Sequence, residues 1–296
     1  MCRVKVLENA ECYAWDELVQ SHKHCGPYLS TMWKSAVEKA YNHETVYFYA
    51  HDKTSIIGLL PFVLINIPLI KRHMVSLPFC DYGGLIAADD DVANNLIHNA
   101  IYYANELKAT LEIRCAQPHP AIERISRFEN TTNKCRMLLK LPNNSKILWS
   151  QFRAKLRSQV RKAFKHGLMT RMGRMEILDD FYQVFSKHMK FLGSPVHSKM
   201  WLKEIINAYD EKALICVVYN KSLPIGAGLI LMHNDKVTIP WASTLNEFKK
   251  LSPNMLLYWT FLEYAADHGY SIFDFGRSTP GSGTFLFKEQ WGAEPY

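Results

Sequence analysis

The sequence has no clean apolar run long enough to cross a bilayer. Its longest, Ile56 to Ile70, is broken by Pro61, Asn66 and Pro68, whereas a spanning helix needs about 20 uninterrupted residues. The start, Met1-Cys2-Arg3-Val4-Lys5-Val6, is strand-like and lacks the apolar core of a signal peptide. A cytoplasmic protein is therefore expected, with peripheral attachment at the inner membrane face as the membrane alternative. Paired cysteines are also missing. The seven (2, 12, 25, 80, 115, 135 and 216) are odd in number, scattered and never spaced CxxC, which excludes a disulfide framework or zinc ribbon and leaves buried free thiols. The 12 histidines are as dispersed. His22 and His24 beside Cys25 form the one tight group, with no HExxH and no second ligand pair, so neither a metal nor a bound cofactor is expected.

Acid is absent from one segment. Gln151 to Met175 holds Arg153, Lys155, Arg157, Arg161, Lys162, Lys165, Arg171 and Arg174 and no carboxylate, so it carries +8 of a formal net charge of +7. Phe152, Leu156, Val160 and Phe164 recur every four residues and suggest the inward face of a helix from about Ser150 to Gly167. Arg153, Arg157, Arg161 and Lys165 recur at the same interval on another face. Like charges four apart repel, and such a stripe suits a polyanion, either tRNA, nucleotide phosphates or an anionic membrane surface. A solvated charged face is the plain alternative.

With 296 residues, 48% hydrophobic and 21% charged, the chain is an ordinary globular one of about two domains. An internal repeat marks them. Trp33 to Val63 aligns without gaps on Trp201 to Leu231, with Trp33/Trp201, Ala40/Ala208, Tyr41/Tyr209, Lys53/Lys221, Ile57/Ile225 and Gly58/Gly226 identical. A period this long means a duplicated domain, expected as 1–142 and 143–296. Each copy reads as a helix (about Leu29 to Ala40; Lys199 to Tyr209) followed by a hairpin. The hairpin strands are Val46–His51 with Ile56–Ile65, and Leu214–Tyr219 with Ile225–His233. The turns Asp52-Lys53-Thr54 and Asn220-Lys221-Ser222 have suitable chemistry. A long helix and a strand then follow: Val92–Leu107 with Thr110–Cys115, and Pro253–His268 with Ser271–Phe275. Pro253 and Gly269 are good helix boundaries. The fold class is α/β, with α+β mixed sheets and helices on their faces.

The C-terminal stretch reads Phe273-Asp274-Phe275-Gly276-Arg277-Ser278, then Gly281-Ser282-Gly283-Thr284, Phe287-Lys288, Trp291-Gly292 and Glu294-Pro295. It resembles the signature of FemAB-type proteins, in particular the branch associated with exosortase/PEP-CTERM exopolysaccharide systems. Ser76-Leu77-Pro78-Phe79-Cys80-Asp81-Tyr82-Gly83-Gly84-Leu85, Leu156 to Ala163 and Pro224-Ile225-Gly226-Ala227-Gly228 add to the resemblance, which touches both halves of the chain. It implies tandem GNAT-like (acyl-CoA N-acyltransferase-like) domains and acyl or aminoacyl transfer to an amine of a peptidoglycan, cell-envelope or exopolysaccharide precursor. The implied donor is aminoacyl-tRNA, acyl-CoA or acyl carrier protein. In the family a Phe-Lys pair lines the site and its Lys stabilises the reacting centre; here that pair is Phe287-Lys288. Two family features are missing, a coiled-coil arm and an R/Q-x-x-G-x-G/A pyrophosphate loop.

Amine attack on an ester or thioester builds negative charge on oxygen, and a fixed donor there is worth about 3 kcal/mol. Lys288 is expected to supply it from a Gly-rich loop. Asp274, Arg277 and Ser278 surround the same strand end, either to hold substrate or, for Asp274 and Arg277, as a structural ion pair. Asp81 and Tyr82 in the first half, with Trp241 and Ser243 at a strand end in the second, complete the expected substrate-binding set, facing one cleft. The chain is expected to be a monomer, with its second domain cut short at the C-terminus and a bare sheet edge there. Two non-enzymatic readings remain: a scaffold of an envelope polysaccharide complex, and a basic nucleic-acid-binding protein.

Overall fold

A computed structural model describes residues 2–53, 55–66, 72–126, 128–129 and 133–296. Thr54 of the first expected turn and Ile67 to Ile70 of the apolar run lie outside them. The chain divides into two compact units, Met1–Thr132 and Asn133–Tyr296. The boundary falls ahead of the expected 142/143 because the strand Cys135–Lys140, absent from the sequence reading, pairs within the second sheet. Among the described residues no helix is long and apolar enough to span a membrane.

The first unit runs β1 (Arg3–Val6), α1 (Cys12–Ser21), α2 (Thr31–Tyr41), β2 (Glu44–His51), β3 (Ile56–Ile65), β4 (His73–Val75), β5 (Ile86–Ala87), α3 (Asp90–Glu106), β6 (Thr110–Glu112) and α4 (Pro120–Glu123). Its sheet order is β1-β2-β3-β4-β6, with β5 on β3. Helix α2 starts where the Ser30 hydroxyl accepts the Met32 N–H, and α3 where the Asp89 carboxylate accepts that of Val92. The apolar stripe of α3, including Val92, Leu96, Ile97 and Ala100, packs with Phe48, Leu60 and Phe62 of the hairpin.

The second unit runs β7 (Cys135–Lys140), α5 (Ser145–Gln151), α6 (Ala154–Lys165), β8 (Leu168–Gly173), α7 (Leu178–Phe191), α8 (Lys199–Tyr209), β9 (Ala213–Asn220), β10 (Leu223–His233), β11 (Lys236–Thr244), α9 (Pro253–Asp267), β12 (Ile272–Ser278), α10 (Gly283–Glu289) and β13 (Glu294–Pro295). The order β13-β7-β12-β11-β10-β9-β8 makes a mixed sheet. Its core joins Leu156 and Val160 of α6 with Leu257, Phe261 and Leu262 of α9 and Phe273 of β12. The last residues pair with β7, Glu294 opposite Leu138 and Pro295 opposite Met137.

The two hairpins share a register. Ala50 faces Gly58, and Val218 faces Gly226; each partner lies at the repeat offset. Even the irregularity is shared, since His51 faces Ile56 and Tyr219 faces Pro224 across a bulge. In both copies a third antiparallel strand follows, then a long helix and a strand parallel to that third one. The tandem GNAT-like fold class therefore holds. Trp33 and Trp201 are both fully buried on the helix that precedes the hairpin, α2 and α8 respectively.

The basic segment differs from expectation. It is two helices, with Phe152 buried at their junction and Phe164 about half exposed at 53%. At 100° per residue a four-residue step drifts by roughly 40°, so within α6 two steps carry Phe164 roughly 80° away from the line of Leu156. Leu156 and Val160 do point inward.

Candidate active site

Strands β11 and β12 run side by side only where Lys236, Val237 and Thr238 face Ile272, Phe273 and Asp274. Beyond that β11 stays with β10 as far as Thr244, while β12 stays with β7 across an irregular stretch between Asp274 and Arg277. The strands part, and an open cleft of about 350 Å³ lies in this unit, walled by Ala242, Ser243 and Thr244 of β11, Asn254, Leu257 and Tyr258 of α9, His188 of α7 and Phe287 of α10. The carboxyl ends of parallel strands are where open α/β sheets bind ligands. In the first unit the corresponding gap is bridged: Ser76 N–H donates to the Glu112 carbonyl at 2.8 Å, Arg114 N–H to the Ser76 hydroxyl at 2.7 Å and Gly83 N–H to the Arg114 carbonyl at 2.9 Å.

Two hydroxyls at the parting strand ends, those of Ser243 and Ser278, are buried without a hydrogen-bond partner, and so is Nδ1 of His188. Leaving such atoms unpaired costs about 1–3 kcal/mol each. Of these, Ser243 and His188 wall the open cleft, and such orphan atoms suit a ligand that completes them. Burial pushes the His188 imidazole below its ordinary value, an effect only partly offset by the Thr244 backbone. The ring is therefore neutral near pH 7 and able to accept a proton. Tyr258 lies between the rings of Phe275, at 5.6 Å, and Phe287, at 4.9 Å. Burial raises its phenol well above the usual range, so it stays protonated.

The expected residues fare differently. Phe287 and Ser243 line the cleft. Lys288 belongs to helix α10 rather than a loop, because the Ser282 hydroxyl caps that helix by accepting the Phe285 N–H. Its ammonium is buried and donates to the carbonyls of Gly276 at 3.1 Å and Arg277 at 2.9 Å. Lys288 thus grips the irregular stretch of β12, where Gly276 takes φ +74°. Asp274 is fully buried. Its pair is Arg136 of β7, at 2.5 Å, and not Arg277; its other oxygen accepts the Gly276 N–H at 2.8 Å. With both oxygens engaged inside the fold, Asp274 holds the strand end, contrary to a substrate-binding role. Arg277 is half-buried. Trp241 packs edge-on against Trp201 at 6.2 Å and His197 at 5.8 Å. In the first unit Tyr82 is buried edge-on against Tyr28 at 5.3 Å, and Asp81 beside it is half-buried. His188, Thr244, Asn254 and Tyr258 escaped the sequence reading, since no motif links α7 to the end of β11.

One pH effect follows from burial. His43, His188 and His197 are all pushed down by desolvation. Near and below the ordinary imidazole value the unfolded chain binds more protons, so stability is full above about pH 7 and falls as pH drops from about 6.5 toward 5. Denaturant midpoints across that interval should fall steadily; a flat profile would contradict the burial of these rings.

The comparisons agree with this geometry. Residues 150–296 match the family model of the acetyltransferase (GNAT) domain. No sequence match among curated proteins reaches significance. Among solved structures, FemX superposes with a TM-score of 0.72 at 16% identity, over 99% of this chain and 94% of that one. A tandem GNAT protein from the clavulanic acid biosynthesis pathway gives 0.63 at 10% identity, over 100% and 96%. L-PGS from Bacillus licheniformis gives 0.62 at 12% identity, over 98% and 90%. Residues 150–296 are thus a GNAT acetyltransferase domain, and two copies of one topology with a parted β11/β12 pair give the whole chain the tandem GNAT-like fold, which FemX shares.

Proposed function

We propose that the chain is an N-acyltransferase that moves an acyl or aminoacyl group from an activated donor to an amine of a cell-envelope precursor. The β11/β12 cleft, walled by Ser243, whose hydroxyl is an orphan, and by His188, whose Nδ1 is one, carries this reading. A neutral amine attacks the carbonyl carbon of the donor ester or thioester, forming a C–N bond and an oxyanion. The Ser243 hydroxyl is the donor offered to that oxyanion. His188 Nδ1 takes the proton from the new ammonium, the C–O or C–S bond breaks, and the departing oxygen or sulfur receives that proton. Lys288 acts from below as a positioning residue, fixing the strand end through Gly276 and Arg277.

The donor's phosphates have few partners of the usual kind. Residues 245–252, between β11 and α9, contain no glycine, so a close backbone cradle for a CoA pyrophosphate does not fit, and no step is routed through one. The connection instead offers exposed Lys249 and Lys250 and the first turn of α9, which no side chain caps. A similar structure described as a putative lysylphosphatidylglycerol synthetase favours an aminoacyl donor, and the tandem GNAT protein, described without its AcCoA, favours an acyl-CoA. Incubating the protein with aminoacyl-tRNA, or with acetyl-CoA, and a UDP-linked peptidoglycan precursor should give a new amide by mass spectrometry. Loss of no acyl group from either donor would overturn the proposal.

His188→Gln is expected to lower kcat by about 10²–10⁴-fold with little change in KM. The wild-type rate should fall at acid pH, below the ordinary imidazole range, and that limb should vanish in the variant. An unchanged acid limb would remove His188 from the reaction.

A further inference from the structure

The outer face of α6 is cationic and has no acid to answer it. Arg153, Arg157, Arg161 and Lys165 form one stripe, Lys155 and Lys162 flank it, and among the described residues none of the six is in an ion pair. The inner face, Leu156, Val160 and Ala163, is buried in the core, so the helix cannot turn its charges elsewhere. Phe164 interrupts the stripe. At 100° per residue it lies roughly 20° round from the line of Arg153, within the roughly 120° that the four cations cover, and it is 53% exposed. Beside it, the Arg161 guanidinium sits 5.5 Å from the ring of Trp149 on α5, whose indole packs on Trp259 at 4.7 Å.

We propose that this face of α6 docks the protein on an anionic lipid surface, its cations among the headgroup phosphates and Phe164 inserted between them. Charge complementarity selects the partner class: this segment carries +8, and the rest of the chain carries −1. Phe164 selects lipid over RNA. A duplex phosphate backbone gives an exposed phenyl ring nothing to bury against. A single strand needs a track of open aromatic faces, whereas Arg161 covers Trp149 and leaves one ring in the stripe. Cations around an aromatic residue match the chemistry of the headgroup layer, where apolar rings bury and basic side chains meet phosphate. The proposal concerns α6 alone and does not depend on acyl transfer.

The test is co-sedimentation of the full chain with vesicles of phosphatidylcholine, with or without about a third phosphatidylglycerol. Binding is expected with the anionic vesicles only. Arg157→Glu with Arg161→Glu should weaken it at least about tenfold at low salt, and less at high salt. Arg153→Glu with Lys165→Glu, at exposed positions near the helix ends, should do the same, so a folding defect in one pair cannot mimic the result. Phe164→Ser should weaken binding at both salt levels while leaving its salt dependence intact. Failure of the wild type to bind anionic vesicles, or binding indifferent to both charge-reversed pairs, would overturn the proposal. Unfractionated tRNA bound through these cations, with vesicles ignored, would overturn it in favour of RNA.

Discussion

An Asp274→Ala chain is expected to lose about 3–5 kcal/mol of stability in its second unit, as read by urea unfolding. The carboxylate is fully buried, and removing it takes the ion-pair partner from the Arg136 guanidinium at 8% exposure, while the Gly276 N–H loses its acceptor. Most of the cost is a buried charge deprived of its carboxylate rather than the attraction itself. The double change Arg136→Met with Asp274→Leu should therefore be less harmful than either single change, which a double-mutant cycle would show. Additive losses, with the double change costing the sum of the two single ones, would mean that the pair contributes no such coupling.

Lys288→Met is expected to lower turnover about a hundredfold or more and to cost about 2–4 kcal/mol of stability. The buried carbonyl of Gly276 and the part-buried one of Arg277 lose a charged donor, and the strand end beside the cleft is released. A lysine that touched only the reacting oxyanion would lose kcat with the melting temperature unchanged. A lysine that positions the strand should lose both together, and Lys288→Arg should restore part of each. Full activity in Lys288→Met would end either role for this residue.

The duplicated hairpins were legible because alternation, turn residues and Gly58/Gly226 all point to one register. The cationic stripe was legible because charge needs no partner to be seen. The same four-residue spacing misplaced Phe164, since it drifts round a helix instead of marking one face. Lys288 was read as a loop residue because Gly281 and Gly283 masked the capping Ser282. Arg136 was missed as the partner of Asp274 because strand β7 went unread, and with it the true start of the second unit. His188 gave no signal at all: a lone histidine on an amphipathic helix becomes meaningful only when folding sets it beside Thr244.

Strand β7 has a consequence for synthesis. It is made first in its unit yet lies inside the finished sheet, between β12 and β13, and its Arg136 meets Asp274 across 138 residues of chain. Domains generally fold in order as the ribosome releases them, so the first unit can close while β7 waits with both edges unsatisfied. Pairings this distant in sequence form slowly. Throughout that wait the nascent second unit exposes an apolar strand, Cys135-Arg136-Met137-Leu138-Leu139-Lys140, whose flanking Lys134 and Lys140 are the charges placed to keep it from pairing with the wrong neighbour.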